Sequence, residues 1–425
     1  MSFDEHIQIG LRLHGGRESS FGLSPDDLRH HLYIIGKSGT GKTTLLFNLI
    51  LQAIERGSGI GVIDPHGDLA LDLINHIPRR RIEETVYFDP SDEEFPIGFN
   101  VLKTQTKPHL IASGIVGALK GIWHESWGPR LEYILYAAIA ALLECENVTI
   151  LGLQRMLSDA RYRAWVVKQV TDPVVRSYWV NEFASYDKRF VQEAIAPIQN
   201  KVGQLLMSPL LRNILGQVRS TLDARFMMDD GRIFIANLAK GKLGEDKSNL
   251  LGALLVTQFQ LAAMSRADVP QLHRRDFRLF VDEFQSFSSE SFASILSEAR
   301  KYRLGLVLSH QYIEQVSPEI RNDVFGNVGS LISFRVGQSD AEVLEREFGR
   351  TFPASRFTGL SNHEILTRPL WNGENIEAFA GRTVEPFAKP TGRAETIIDR
   401  SRLKYATRRE VAEDRIRRWF GEYPA

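Results

Sequence analysis

Two rhythms of apolar and polar positions alternate along this chain. From about residue 25 to 103, short apolar runs of strand length are separated by stretches with apolar residues at three- and four-residue spacing. The run LYIIG, ending at Gly36, is followed by TTLLFNLILQAIERG, a helical pattern closed by Gly57 and Gly59. GIGVIDPHGD then reads as a strand and turn, Leu69–His76 as a helix, and TVYFDP as a third strand. This β-α-β-α-β order predicts a parallel sheet covered by helices.

From about 104 to 216 the strand rhythm is lost. Leu131, Ile134, Leu135, Ala138 and Leu142 recur at helical spacing, and the pattern continues through RAWVVKQV, PVVRSYWVNEF and FVQEAIAPIQNKVGQLL. An all-helical domain of about five or six helices is expected. The alternating rhythm then returns. RIFIANLA (Arg232–Ala239), FRLFVDEF, LGLVLSHQ and GSLISFRVG read as strands; SNLLGALLVTQFQLAAM, SESFASILSEARKYR and SDAEVLEREFG read as helices. Ser339, with Glu342 three residues on, has capping-box spacing. Beyond Pro390 the chain carries Arg393, Arg400, Arg402, Arg408, Arg409, Arg415, Arg417 and Arg418 among interleaved acids, the pattern of a solvated helix. The predicted fold is thus α/β, with a mostly parallel central sheet interrupted by an all-helical domain. The segments are 1–24, 25–103, 104–216 (the helical insertion), 217–390 and the arginine-rich 391–425.

Charge narrows the function only slightly. The 425 residues carry 52 Lys and Arg against 52 Asp and Glu, so a uniformly basic nucleic-acid coat is excluded and a local basic channel is not. The single cysteine, Cys145, lies in an apolar helical pattern and reads as a buried thiol in a reducing compartment. MSFDEHIQIG has no apolar core and is no signal peptide. YILYAAIAALL (Tyr133–Leu143) is too short to span a bilayer, and no run of spanning length is read. A soluble, cytoplasmic protein is expected, with any membrane association supplied by a partner.

The chemistry begins at Gly36-Lys37-Ser38-Gly39-Thr40-Gly41-Lys42-Thr43, a phosphate loop placed where its mechanism requires, after a strand and before an apolar helix. Its glycines turn backbone N–H groups toward a phosphate chain, Lys42 neutralises the β- and γ-phosphates, and Thr43 holds Mg²⁺. Thr44 completes the nucleotide-binding stretch. In RLFVDEF an apolar strand ends in Asp282-Glu283. Asp282 is placed to hold Mg²⁺, and Glu283 to activate the attacking water of a hydrolase that cycles. LGLVLSHQ ends in His310-Gln311; Gln311 is the candidate to sense the γ-phosphate, His310 the alternate. Asp64, at the end of a strand beside the phosphate-loop strand, is a further nucleotide-site candidate, with His66 near it. Arg300 and Arg303 fit two roles equally: helix C-terminal cations, or a finger reaching a neighbour's γ-phosphate. Lys240 and Lys242 read as a surface loop, and Trp123, Trp127, Trp165 and Trp179 as packing residues.

GKSGTGKTT, DPHGDLA, GFNVL, IFIANLAKGKLG, FVDEF and EARKYRLGLVLSHQY, in this order and around a helical insertion, resemble the HerA–FtsK superfamily of hexameric pumping ATPases. Within it the chain is similar to the coupling ATPases of type IV secretion and conjugation, the TraG/TraD-like group. The resemblance implies a RecA-like P-loop NTPase domain bearing an all-helical domain, assembled as a homohexameric ring on DNA and bound without sequence preference. It implies ATP and Mg²⁺ as cofactors, Lys42, Glu283 and Gln311 as catalytic residues, and Arg300 as the finger in trans. Membrane-anchored members carry N-terminal transmembrane helices. Their absence from this sequence points to a soluble relative working with a membrane or secretion-channel partner. The implied function is ATP-driven DNA translocation; the alternative is an ATPase energising protein secretion or assembly. A dimeric transporter ATPase is disfavoured, because no LSGGQ-like signature precedes FVDEF.

Overall fold

The structure is a computed structural model that describes residues 6–14, 17–103, 106–123, 127–288 and 295–422. An eleven-stranded sheet organises it. The strands are β1 (Ile7–His14), β2 (Arg17–Leu23), β3 (Leu32–Ile35), β4 (Gly59–Asp64), β5 (Thr85–Phe88), β6 (Ile233–Asn237), β7 (Phe277–Val281), β8 (Leu304–His310), β9 (Ser330–Ser333), β10 (Glu364–Arg368) and β11 (Phe379–Thr383), and they lie in the order β2-β1-β11-β10-β9-β3-β8-β7-β4-β6-β5. From β9 to β5 every neighbouring pair is parallel; from β9 to β2 every pair is antiparallel. Every residue of β3, β4, β7 and β8 is buried. This is why those strands read as predominantly apolar runs: helices cover both faces.

One face carries α1 (Lys42–Glu55) and α2 (Asp68–Ile74), whose Leu45, Leu46, Ile50 and Leu73 share a core with Ile34 and Ile60. The other carries α3 (Glu245–Ser265), a helix buried nearly all round. Residues 245–268 have the length of a membrane span and contain an 18-residue window of mean hydropathy 1.2, yet 83% of that window is buried inside the fold. The helix is the central post of the core, with Phe259 stacked on Phe277 at 5.4 Å between ring centroids.

The insertion packs onto this post. Its longer helices are α4 (Pro108–Ile122), α5 (Pro129–Leu143), α6 (Leu151–Ser158), α7 (Ala160–Gln169), α8 (Lys188–Ile198) and α9 (Pro209–Leu215), and no strand occurs among its described residues. A Cβ on Gly114 would lie 2.8 Å from the Thr257 methyl, so glycine lets α4 seat directly on α3. Cys145 is half-buried, and burial pushes its thiol up to about 12, which makes it inert as a nucleophile.

Three expectations are corrected. Residues before 25 are not a separate segment: β1 and β2 extend the main sheet through β11. The helix at Gln338–Glu347 starts one residue before Ser339, with Gly337 as its cap, and Glu342 accepts from the Gln338 side chain at 3.0 Å, so no capping box forms. The arginine-rich tail is not merely solvated. Its helices α10 (Ala394–Tyr405) and α11 (Arg409–Glu422) bury Ile397, Ala412, Ile416 and Trp419. Ser401 Oγ accepts from Tyr87 N at 2.9 Å on the β5 edge, and Trp419 Nε1 donates to Asn147 O at 2.8 Å in the insertion. Part of the helix expected over 289–303 lies outside the described residues; its last turn is a tight one at Ala299–Tyr302.

Candidate functional site

The site lies where β3, β7 and β8 end. β3 runs into Gly36, and the loop is pinned on both sides: Gly36 N donates to His310 O at 3.3 Å and Lys37 N to Arg335 O at 2.8 Å. Gly39 and Gly41 take φ of +73° and +117°, conformations that favour glycine. Thr40 Oγ1 donates to Lys37 O at 2.7 Å and closes the loop on itself. The result is an exposed Lys37-Ser38-Gly39 turn over the N-terminus of α1, the arrangement that suits an anion.

Lys42, the first residue of α1, is buried. Its Nζ donates to Gly36 O at 2.5 Å and Lys37 O at 3.2 Å, so the ammonium is folded against its own loop. Burial pulls its pKa down, while Glu283 and Asp282 act in the opposite direction. Thr43 is exposed beside it and Thr44 half-exposed.

Asp282 and Glu283 leave the end of β7 on the same side. Asp282 is buried, and burial raises its carboxyl to about 6, against a lowering hydrogen bond from Ser309 Oγ at 2.8 Å. Glu283 sits at φ +47°, a left-handed conformation that is strained for this residue and turns its carboxylate back over the site. Burial opposes its ionisation, but contacts from His66, Gln285 and Gln311 prevail and lower it to about 2. Gln285 Nε2 donates to Oε2 at 2.7 Å and Gln311 Nε2 to Oε1 at 3.0 Å; His66 Nε2 stands 3.9 Å from Oε1, and Glu283 raises the His66 pKa in return.

The structure therefore brings Lys42, Asp282, Glu283 and Gln311 together. It gives the two residues of SHQ different surroundings. Gln311 reaches the carboxylate, whereas His310 is buried against the Tyr33 hydroxyl, and burial lowers its pKa to about 3. Asp64 is closer to the loop than to a ligand: it is fully buried, and its two oxygens accept from His66 N at 2.8 Å and Ala70 N at 2.9 Å. It shapes the turn that presents His66. Arg300 is exposed at the start of β8, the opposite end of the strand from Gln311. Seven strand residues separate the two ends, roughly 20 Å. Arg303 is bound to Gln271 O and Asp276, a structural role. Lys240 Nζ donates to Ser286 Oγ at 3.0 Å, just beyond Glu283.

Sequence reasoning missed Ser309, Gln285 and His363. Ser309 had a signal, a small polar residue in an otherwise apolar strand. His363 had none, because it arrives from a distant loop: its N donates to Thr40 O at 2.9 Å. A cavity of about 290 Å³ borders the loop, lined by Lys37, Ser38, Gln311, Tyr312 and Asp340 among others.

The donor set suits Mg²⁺ bridged to phosphates. Among the described residues no cluster of three metal-ligating side chains occurs, so an all-protein cage is absent. One buried carboxylate, Asp282, and one helix-start hydroxyl, Thr43, are the pair a phosphate-bound cation uses.

Parallel sheet, glycine loop and acidic strand end together define a P-loop NTPase. The sequence model of a family described as "Type IV secretion-system coupling protein DNA-binding domain" matches residues 19–340, more than half of the chain. The chain belongs to that family. Solved structures agree on the fold. The plasmid coupling protein TrwB with the non-hydrolysable ATP analogue ADPNP is 16% identical, with 90% of this chain and 95% of that chain covered and a TM-score of 0.64. TrwB with ADP and Mg²⁺ is 15% identical, with 92% and 97% covered and a TM-score of 0.61. VirB4 of Thermoanaerobacter pseudethanolicus is 13% identical, with 91% and 98% covered and a TM-score of 0.56. No curated protein matches the chain by sequence.

Proposed function

We propose that this protein is an ATP-driven DNA translocase, a coupling-type motor that hydrolyses ATP at the subunit interfaces of a homohexameric ring. The observation that carries the reading is Glu283, held as a carboxylate by Gln311 and Gln285 beside the Lys42 loop. The loop N–H groups and Lys42 take the triphosphate, Lys42 exchanging its backbone carbonyls for phosphate oxygens. Thr43 and Asp282 hold Mg²⁺, which supplies charge neutralisation at the phosphates. Glu283 orients the attacking water and accepts its proton. Gln311 touches that carboxylate and so relays its state along β8 toward Arg300, the residue offered to the neighbouring subunit. Family membership supports DNA as the partner, and backbone tracking accounts for the absence of a uniformly basic surface. In this reading the ring works in the cytoplasm and meets the membrane through a secretion-channel partner.

The test is ATP turnover with and without DNA, in wild-type protein and Lys42→Ala. Stimulation by DNA of any sequence, with binding that weakens steeply as salt rises, supports the motor. The near-zero net charge keeps open a second reading, an ATPase that energises protein secretion. Turnover indifferent to DNA, in a protein that binds none, selects that reading instead.

A further inference from the structure

The γ-phosphate end of the site is closed by Asp282, Glu283 and Gln311, at the ends of β7 and β8. These strands lie on one side of β3. The rest of a bound nucleotide must leave the loop on the other side, over the ends of β9 and β10. His363 stands there. It precedes β10, and its ring lies against the loop: a Cβ added to Gly41 would sit 2.7 Å from His363 Nδ1 and 3.2 Å from Cε1. The residue is exposed. No hydrogen bond to its ring is found among the described residues.

Its backbone is held from both directions. His363 N donates to Thr40 O at 2.9 Å, and His363 O accepts from Thr383 N at 2.8 Å. The φ of +65° is one that costs a non-glycine residue energy, with asparagine among the better-suited alternatives. Next to it Asn362 Oδ1 accepts from Arg335 at 3.1 Å, and Arg335 O in turn takes the Lys37 N–H of the loop. An aromatic ring is thus fixed in a strained, solvent-facing position at the exit of a phosphate loop.

We propose that His363 is a nucleotide-contacting residue whose ring stacks on the base–ribose half of the bound ATP. This rests on the ATP-site reading above and extends it from the phosphates to the nucleoside. Stacking uses a π-face and needs no hydrogen-bond readout. The residue therefore adds affinity for the nucleoside and none for phosphate alone.

The experiment compares two ligands by calorimetry: Mg-ATP and inorganic tripolyphosphate, the latter carrying the charge without the nucleoside. His363→Asn keeps a residue suited to positive φ and removes the ring; His363→Phe keeps a stacking face. His363→Asn is expected to weaken ATP about five- to tenfold, the size of one aromatic stack, and to leave tripolyphosphate unchanged. His363→Phe is expected to restore ATP affinity to within about twofold. Equal losses for both ligands would show that His363 only positions the loop, and no loss for either would show that the ring faces solvent alone; each overturns the proposal. A wild-type protein that binds neither ligand overturns the ATP-site reading itself, a result distinct from both.

Discussion

At the scale of single residues, the site holds Glu283, the proposed base, in check. The donors that keep Glu283 ionised also occupy its oxygens, and a carboxylate lowered to about 2 is a weak proton acceptor. In the proposed mechanism turnover requires that one of these donors let go, and Gln311, at the end of β8, is the one with a route to the rest of the sheet. Glu283→Gln keeps the shape and loses the base. Its kcat is expected to fall by about 10²- to 10⁴-fold, with ATP affinity within a few-fold of wild type; retained turnover would remove Glu283 from the mechanism. A second residue sets a pH limit on the fold. His31 is completely buried, with Nδ1 accepting from Leu306 N at 3.0 Å and Nε2 3.0 Å from Leu296 O, and burial lowers its pKa to about 4; the charges of neighbouring His30 and Arg300 push the same way. The unfolded chain therefore binds the proton more tightly than the folded one. Stability is complete above the unfolded value near 6.5 and is lost as pH falls through 4, by about 3 kcal/mol in all. Thermal melts should show Tm falling over that window in wild type and a flatter profile in His31→Asn, which starts from a lower Tm but tolerates the φ of +67°.

At the scale of elements, legibility followed burial. β3, β4, β7 and β8 were readable because both faces are covered, and the acidic pair Asp282-Glu283 was readable because it ends one of those runs. The antiparallel wing was not. Its signals exist: Ile7, Ile9, Leu11 and Leu13 alternate with Gln8, Gly10, Arg12 and His14, and Trp371-Asn372-Gly373-Glu374 is an Asn-Gly hairpin with φ of +52° and +81° at its centre. What no local pattern reveals is that β1 pairs with β11, an association between the two ends of the chain. The same reason hid His363. The docked tail escaped for a different one: its buried residues are few among arginines, and the wide spacing of Ile397, Ala412, Ile416 and Trp419 resembles a solvated helix. Helix α3 shows how tightly an element can be coupled to the site. A Cβ on Gly252 would stand 2.2 Å from the ring of Phe287, which is itself buried four residues beyond Glu283 and hydrogen-bonded back to Phe284. Gly252→Ala should cost about 1–3 kcal/mol by overpacking and lower kcat by shifting the Glu283 turn. Gly241→Ala, with open space at its Cβ, should change neither. Denaturant unfolding and steady-state turnover check both variants; equal behaviour of the two would disconnect α3 from the site.

At the scale of the whole molecule, the sheet sets how the proposed ring can be tested. Lys42, Glu283 and Gln311 lie at one edge of the parallel strands and exposed Arg300 at the other, roughly 20 Å away. An arginine so placed cannot complete its own site. If it completes a neighbour's, each ring interface takes Lys42 from one subunit and Arg300 from the next, and two inactive proteins must rescue each other. Lys42→Ala leaves a subunit able only to offer its arginine; Arg300→Ala leaves one able only to offer its loop. Each alone should lose nearly all turnover, since a finger is worth about 10³- to 10⁵-fold. Mixed in equal amounts before assembly, they form an intact interface wherever the two kinds meet in the right order. With random mixing and independent sites in a closed head-to-tail ring, that is about a quarter of the interfaces. Turnover should therefore recover toward a quarter of wild type when subunits are exchanged, and stay at the level of the single variants when preformed assemblies are mixed without exchange. A mixture that remains inactive under exchange, or an Arg300→Ala protein that turns over ATP normally, would leave Arg300 as a solvated cation at the base of β8.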